Sequence, residues 1–331
     1  MRIFSGIQPT GRKHLGNYIG AISQYVHLQE EGDPAIYCVV DLHSTTISYE
    51  PAELRERFYD TTAILLAAGL DPERCILFRQ SDVREHTELT WMIGATATSH
   101  GDLNRMTQFK EKSAKQRELV SAGLFYYPVL MAADILAYNT DLVPVGDDQR
   151  QHLELAREIA TRFNSRFGET FTVPEWRIPE VGARIMDLQD PTSKMSTTSE
   201  STAGTVFVLD EPKQIEKKIK SAVTDSGSDV RRALDKPGIS NLIEIYAVTT
   251  GKAMEDVEAE FAGSQYGAFK QAVADAVIAY LQPVQEAYAE LRGDEAALEA
   301  ILAQGAEKAR AISAPIVAEA RDKMGLGRPV A

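Results

Sequence analysis

The sequence predicts an α/β protein in two parts. A Rossmann-like parallel sheet with covering helices and a helical crossover insertion spans residues 1–205, and an all-helical domain spans 206–331. Three observations predict this. Short apolar β-type runs alternate with helical patterns up to about Gly204, as βαβ units do. Helical periodicity alone fills the stretch from about Glu85 to Leu136, where a long crossover between two halves of a sheet would lie. Beyond about Pro212 strand signals almost vanish and helical patterns follow one another.

The first strand is IFSGI at Ile3, which breaks into a Gly- and Pro-rich loop and enters an amphipathic helix through Gly16 and Asn17. AIYCVVD at Ala35 is the second. It ends at Asp41 with His43 just beyond, at the carboxyl edge where open α/β sheets place ligands. A helix then runs from Pro51, at a permitted first-turn position, to Gly69 as its stop. CILF at Cys75 is the third strand, and DLVPV at Asp141 returns to the sheet before the helical pattern GDDQRQHLELAREIATRF. A hydroxyl-rich loop around Lys194 closes this half. In the second half, helical patterns cover PKQIEKKIKSAV, 240–251, 268–291 and 295–325, punctuated by Gly238, Gly251, Gly263, Gly267, Gly293 and Gly305. Pro283 and Pro315 are expected to kink or divide the last two.

A chain of 331 residues suffices for roughly two domains, each with its own core. Hydrophobic residues at 44% and charged ones at 25% are ordinary for a soluble protein. MRIFSGIQPT has too little apolar length for a signal peptide and no uninterrupted apolar run could span a bilayer, so a cytoplasmic protein without membrane partners is expected. Cys38 and Cys75 fall in strands and read as small buried hydrophobes, and two cysteines make no zinc or iron–sulfur set. A net charge of −13 repels phosphate at long range, which argues against DNA and against generic nucleic-acid binding. Any RNA contact must be local, and the candidate patch is Lys213, Lys217, Lys218, Lys220, Arg231 and Arg232; a solvated helix face is the alternative.

Two stretches some 180 residues apart, HLGN at His14–Asn17 and KMSTT at Lys194–Thr198, together describe a site for ATP. Gly6 and Gly16 let a base or phosphate approach the backbone, and the new helix offers free amides and a positive dipole end. Lys194 supplies a cation that can close over a triphosphate from a flexible loop. His14 also reads as an ordinary residue at a helix start. GDDQ at Gly146–Gln149 faces the same sheet edge, where Asp147 or Asp148 also reads as a helix N-cap. In YPVLMAADILAY, Tyr127, Met131 and Asp134 are one turn apart on a single helix face amid apolar residues. A carboxylate there demands a hydrogen-bond donor, either from a ligand or from a structural Arg or backbone amide.

The HLGN and KMSTT pair resembles the HIGH and KMSKS signatures of class I aminoacyl-tRNA synthetases. SGIQPTGRKHLGNYIGA, RMTQFKEKSA, YPVLMAADILAYNTDLVPVGDDQRQHLELAR, GARIMDLQDPTSKMS and KKIKSAVTDS look like the corresponding segments of the bacterial tryptophanyl-tRNA synthetase family, in that family's order. The resemblance implies that tryptophan attacks the α-phosphate of ATP, that pyrophosphate leaves, and that the acyl group passes to the terminal ribose of tRNA(Trp). It implies that Gln8, Pro9, Thr10, His14, Gly16 and Asn17 hold the nucleotide with Ile185, Met195, Thr197 and Thr198. Lys194 and Ser196 would grip the phosphates, Lys112 would approach the pyrophosphate, and Asn17 would join them in catalysis. GDDQ, with Gly146, Asp147, Asp148 and Gln149, would meet the ribose, and Mg²⁺ would bridge the phosphates. Phe4, Ser5, His43, Tyr127, Met131, Asp134 and Gln149 would form the amino-acid pocket, with Asp134 accepting the indole N–H. A site built on such a bond rejects an analogue lacking it by roughly 10⁴ to 10⁵, without an editing domain.

A homodimer is implied as well, with the helical domain meeting the anticodon and RMTQF near the dimer contact. The chain departs from the family at Thr197, where a second lysine is usual. Losing one charged hydrogen bond of about 1.5–3 kcal/mol would cost on the order of ten- to a hundredfold in phosphate affinity or rate. That leaves an auxiliary or inhibitor-tolerant paralogue open as a reading. A tyrosyl-tRNA synthetase, a small-molecule nucleotidylyltransferase and a catalytically silent tryptophan-binding protein are further alternatives.

Overall fold

A computed structural model describes residues 1–29, 34–106, 121–146, 149–177, 185–196 and 201–327. Strands β1 (Phe4–Ile7), β2 (Ile36–Val39) and β3 (Ile76–Arg79) form one parallel sheet in that order, and β4 (Leu142–Pro144) pairs in parallel with β5 (Glu175–Arg177). A parallel bridge between Ile3 and Leu142 brings the two together, so that the order across the edge is β3-β2-β1-β4-β5. The order reverses between β1 and β4, and such a reversal opens a crevice beyond the strands' carboxyl ends. All four residues of β2 are buried, as expected of a strand covered on both faces. Alternate residues point to opposite sides: Tyr37 and Val39 join one apolar cluster, Ile36 and Cys38 the other.

Between the strands run α1 (Leu15–Asn17) and α2 (Ser23–Leu28), joined by a π-helical turn at Tyr18–Ile22. They are followed by α3 (Asp41–Ser44), α4 (Pro51–Ala67), α5 (Glu85–Thr96), α6 (His100–Asn104), α7 (Ala122–Leu136) and α8 (Arg150–Phe167). Pro51 opens α4, and Gly69 follows it at φ +109°, a conformation that suits glycine. The crossover between β3 and β4 is thus helical among its described residues. β5 was not anticipated. It has three residues, two of them exposed, too few for alternation or an apolar run to single it out.

Helices α9 (Pro212–Lys220), α10 (Pro237–Thr250), α11 (Met254–Glu260), α12 (Tyr266–Arg292) and α13 (Glu295–Lys323) complete the described chain. Neither α12 nor α13 is divided at its proline. In α12 the buried stripe Phe269, Val273, Val277, Leu281 and Val284 continues past Pro283, so packing on both sides offsets the lost backbone bond. Gly305 likewise ends nothing. It lies inside α13 where that helix meets β3, and a Cβ there would sit 1.8 Å from the Leu77 carbonyl oxygen. Through this contact Ala306, Ala309 and Val317 of α13 enter the same apolar cluster as Ile36, Phe78 and Leu89. Both cysteines are buried and free. No helix among the described residues is long and apolar enough to cross a membrane.

Candidate active site

A cavity of about 680 Å³ opens at the carboxyl edge between β1 and β4. Phe4, Ser5 and Gly6 of β1 form one wall, with Gln8 from the loop beyond. Gly20 and Ala21 of the π-helical turn and Gln24 and Tyr25 of α2 form another. His43 enters from α3, Tyr127, Met131 and Asp134 from α7, and Gly146 and Gln149 from the loop after β4; Lys194 closes one side. All seven predicted amino-acid contacts therefore converge on one space. Gly20 owes its place there to the π turn, a local irregularity common at functional sites. Of the predicted nucleotide set, Gln8, Gly146, Gln149 and Lys194 line the cavity. Pro9, Thr10, His14, Gly16, Asn17, Ile185, Met195 and Ser196 do not, and Lys112, Asp147, Asp148, Thr197 and Thr198 lie outside the described residues.

Asp134 is 2% exposed, and its donors are neither an arginine nor a backbone amide. Its Oδ1 accepts from Gln80 Nε2 at 2.7 Å and His86 Nδ1 at 2.6 Å, and its Oδ2 from His43 Nε2 at 2.8 Å. Burial pushes its carboxyl pKa up, but the bonds from His43 and His86 outweigh burial and hold it below the usual carboxylate range. The group stays an anion although it is buried. A carboxylate has about four lone-pair sites. Among the described residues three are filled, which leaves one on Oδ2. Tyr127 gives its hydroxyl to a bond with His152 Nε2 at 2.9 Å, and Ser5 donates to the buried Tyr25 hydroxyl at 2.9 Å. Gln24, Tyr25, Gln80 and His86 were not among the predicted site residues. QSDVREH follows β3 directly, and its position at a strand's carboxyl end was the one available signal.

HLGN is tied to the chain on either side of KMSTT. Leu15 N–H donates to the Val206 carbonyl at 2.8 Å and Val208 N–H to the Lys13 carbonyl at 2.9 Å, which clips HLGN to the segment that follows KMSTT. His14 is the N-cap of α1: its Nδ1 accepts from Asn17 N–H at 3.2 Å, and its own N–H donates to Asn17 Oδ1 at 3.2 Å. Burial, and then Lys13, push the His14 pKa down to about 4, which keeps Nδ1 available as an acceptor. At Gly16 a Cβ would lie 3.1 Å from the His14 ring and 3.5 Å from Ile185 Cβ, so the histidine and the KMSTT hairpin already crowd the place of a side chain.

Lys194 is carried by a hairpin, where a flexible loop was expected. Met195 N–H donates to the Ile185 carbonyl at 3.0 Å and Asp187 N–H to the Ser193 carbonyl at 2.9 Å, with Met186 and Lys194 opposite one another. Asp190 ties the turn by accepting from the Thr192 and Ser193 hydroxyls at 2.6 Å each. Met195 is buried and Lys194 exposed, so the apolar neighbour anchors the strand that presents the cation. Ser196 is fixed through its carbonyl, which accepts from Thr205 Oγ1 at 2.9 Å. The Gln8–Thr10 loop has its own buried clamp. Lys13 Nζ donates to the Gln8 carbonyl at 2.6 Å and the Thr10 carbonyl at 3.3 Å. Burial, then Arg57, lower its pKa to about 8, against a smaller opposing effect of Asp60.

The Asp147 and Asp148 capping alternative lies outside the described residues, and the N-cap position of α8 itself falls to Gln149. On the basic patch, Lys218 bonds to Asp210 at 2.5 Å, Lys220 to Glu216 at 2.5 Å and Arg232 to Glu255 at 2.6 Å. Lys213 and Lys217 are exposed on α9. No group of three His, Cys, Asp or Glu side chains that could hold a metal ion occurs among the described residues.

A family model described as tRNA synthetases class I (W and Y) matches residues 1–282. The tryptophan–tRNA ligase of Oceanobacillus iheyensis is 53% identical over 328 residues, covering 98% of this chain and 99% of its own length. Among solved structures, the tryptophanyl-tRNA synthetase of Mycoplasma pneumoniae superposes with a TM-score of 0.91 at 35% identity, covering 98% of both chains. That of Campylobacter jejuni, solved with ADP and tryptophan, has a TM-score of 0.84 at 36% identity, covering 98% of this chain and 100% of its own.

Proposed function

The chain belongs to the class I tRNA synthetases of the tryptophan and tyrosine family, and we propose that it is a tryptophan–tRNA ligase. It activates L-tryptophan with ATP to the adenylate and pyrophosphate, then transfers tryptophan to the 3′-terminal ribose of tRNA(Trp). One observation supports this reading above the others: a buried anionic carboxylate, Asp134, with one open acceptor site in a cavity shared with Lys194. An indole N–H fills that acceptor. The substrate carboxylate is already a nucleophile, so the protein needs to position it and to offset charge on the leaving pyrophosphate.

Gln8, Gly146 and Gln149 contact the nucleotide, and Lys194 reaches its phosphates from the hairpin. Ser196, Lys112 and Thr197 join from the neighbouring segments, while His14 and Asn17 shape the turn that Gln8–Thr10 leaves. Mg²⁺ comes with the nucleotide: phosphate oxygens suit this hard cation, and it is commonly held by substrate phosphates rather than by an all-protein cage. We divide the chain at about residue 205 into a catalytic part and a helical part whose Lys213 and Lys217 are available to RNA. A homodimer in the cytoplasm is the assembly that goes with this reading.

The test is exchange of labelled pyrophosphate into ATP, followed by charging of tRNA. Tryptophan is expected to drive exchange and tyrosine to leave it at background. Exchange driven by tyrosine would assign the other member of the family, and tryptophan binding without exchange would make this a silent binding protein.

A further inference from the structure

Two side chains outside the cavity decide how Asp134 meets its ligand. Gln80 sits on the 3₁₀ turn that follows β3 and His86 in the first turn of α5, both fully buried. Neither lines the cavity. The orientation of the Gln80 amide follows from its partners. Its Oε1 accepts from Leu42 N–H at 3.1 Å, so only Nε2 can face Asp134, where it donates at 2.7 Å. One carboxamide thus ties the end of β3 to α3, which carries His43, and to α7, which carries the acid. His86 is held from the far side as well, its Nε2 being 2.7 Å from the Tyr138 hydroxyl, and the Tyr138 ring stacks on Phe4 at 5.6 Å.

A carboxylate on a short side chain can swing about its last torsion and expose either oxygen. Here any such swing breaks two hydrogen bonds at Oδ1, among side chains that are buried from solvent. The inside of the cavity therefore sees one acceptor oxygen of Asp134, at one place. We propose that Gln80 and His86 are positioning residues for amino-acid specificity: by saturating Oδ1 of Asp134 they leave only the outer lone pair of Oδ2, aimed at a ring N–H. The inference deepens the tryptophan reading and rests on it.

A sulfur isostere separates the two. 3-(Benzothiophen-3-yl)alanine keeps the shape of tryptophan and lacks its ring N–H. Wild-type exchange is measured with both amino acids, and a preference for tryptophan of roughly ten- to a hundredfold in kcat/KM is expected. Without that preference the Asp134–indole reading fails, and the inference with it. In Gln80→Met, of similar volume but without a donor, tryptophan is expected to lose at least about fivefold while the isostere and the KM for ATP change less than about twofold. Equal losses for both amino acids would mean that Gln80 only supports the fold, and would overturn the proposal.

A second pair keeps the test open if Gln80→Met folds poorly. His86→Asn retains a donor at the Nδ1 position and is expected to keep the wild-type preference. His86→Leu removes the donor and is expected to narrow it. The same preference in both His86 variants would also overturn the proposal.

Discussion

Lys13 offers the sharpest physical test, because its charge and its burial pull in opposite directions. Lys13 is 7% exposed and its pKa is pushed down to about 8, first by burial and then by Arg57. A lysine whose pKa falls on folding binds fewer protons in the native state than in the unfolded chain. Between about pH 8 and the unfolded value near 10.5, the unfolded state holds the extra proton, so stability must rise with pH across that window. Each pKa unit corresponds to about 1.4 kcal/mol, which gives roughly 3 kcal/mol over the full window. Lys13→Met removes this titration while keeping most of the stem volume.

Urea unfolding of both proteins from pH 7.5 to 10 gives a difference curve in which every other titrating group cancels to first order. The wild type is expected to gain about 2 kcal/mol on the variant by pH 10, whatever the offset at neutral pH. That offset combines relief from a buried charge with two carbonyls, of Gln8 and Thr10, left without their donor, and so carries no sign of its own. Parallel curves would refute the reasoning, since they would show that Lys13 titrates in the folded protein as it does in the unfolded chain.

His14 titrates on the acid side. Its folded pKa of about 4 lies below the usual 6.5, so its contribution is complete above pH 6.5 and is lost as the pH falls toward 4; His14→Asn, which caps without titrating, should lose less stability than wild type between pH 6.5 and 5. Gly305→Ala should be destabilising by about 1–3 kcal/mol, although alanine is the better helix former, because the new Cβ meets the Leu77 carbonyl; an unchanged or raised unfolding midpoint would show that α13 does not press on β3. Asp134→Asn should raise the KM for tryptophan by roughly tenfold or more in pyrophosphate exchange, since an amide cannot accept from all its present donors, and leave the KM for ATP near wild type. Thr197→Lys should speed exchange by roughly ten- to a hundredfold, and an equal rate would mean that the missing cation matters little.

The layout of strands and helices was legible because buried parallel strands are short apolar runs and their crossovers carry helical spacing. Tyr127, Met131 and Asp134 were readable for the same reason: spacing of three and four residues on a helix fixes a shared face. What escaped was set by contacts between distant segments. Gln80 and His86 lie on a tight turn and a helix start where no periodicity singles out a side chain, and their role exists only once α3 and α7 converge on them. The crowding of Gly16 by Ile185 was likewise hidden, since that neighbour is far away in the chain. Pro283 and Pro315 divide neither helix, because local backbone preference is outweighed by long apolar stripes on α12 and α13.

The seating of α13 on β3 bears on how the protein is made. Ile36 and Phe78 are translated early, yet Ala306, Ala309 and Val317, which complete their apolar cluster, come from α13, far later in the chain. A nascent chain must hold that face of the sheet uncovered until α13 has left the ribosome. Premature termination before α13 would therefore release a polypeptide with an open apolar surface, a substrate for chaperones and proteases rather than a shortened enzyme.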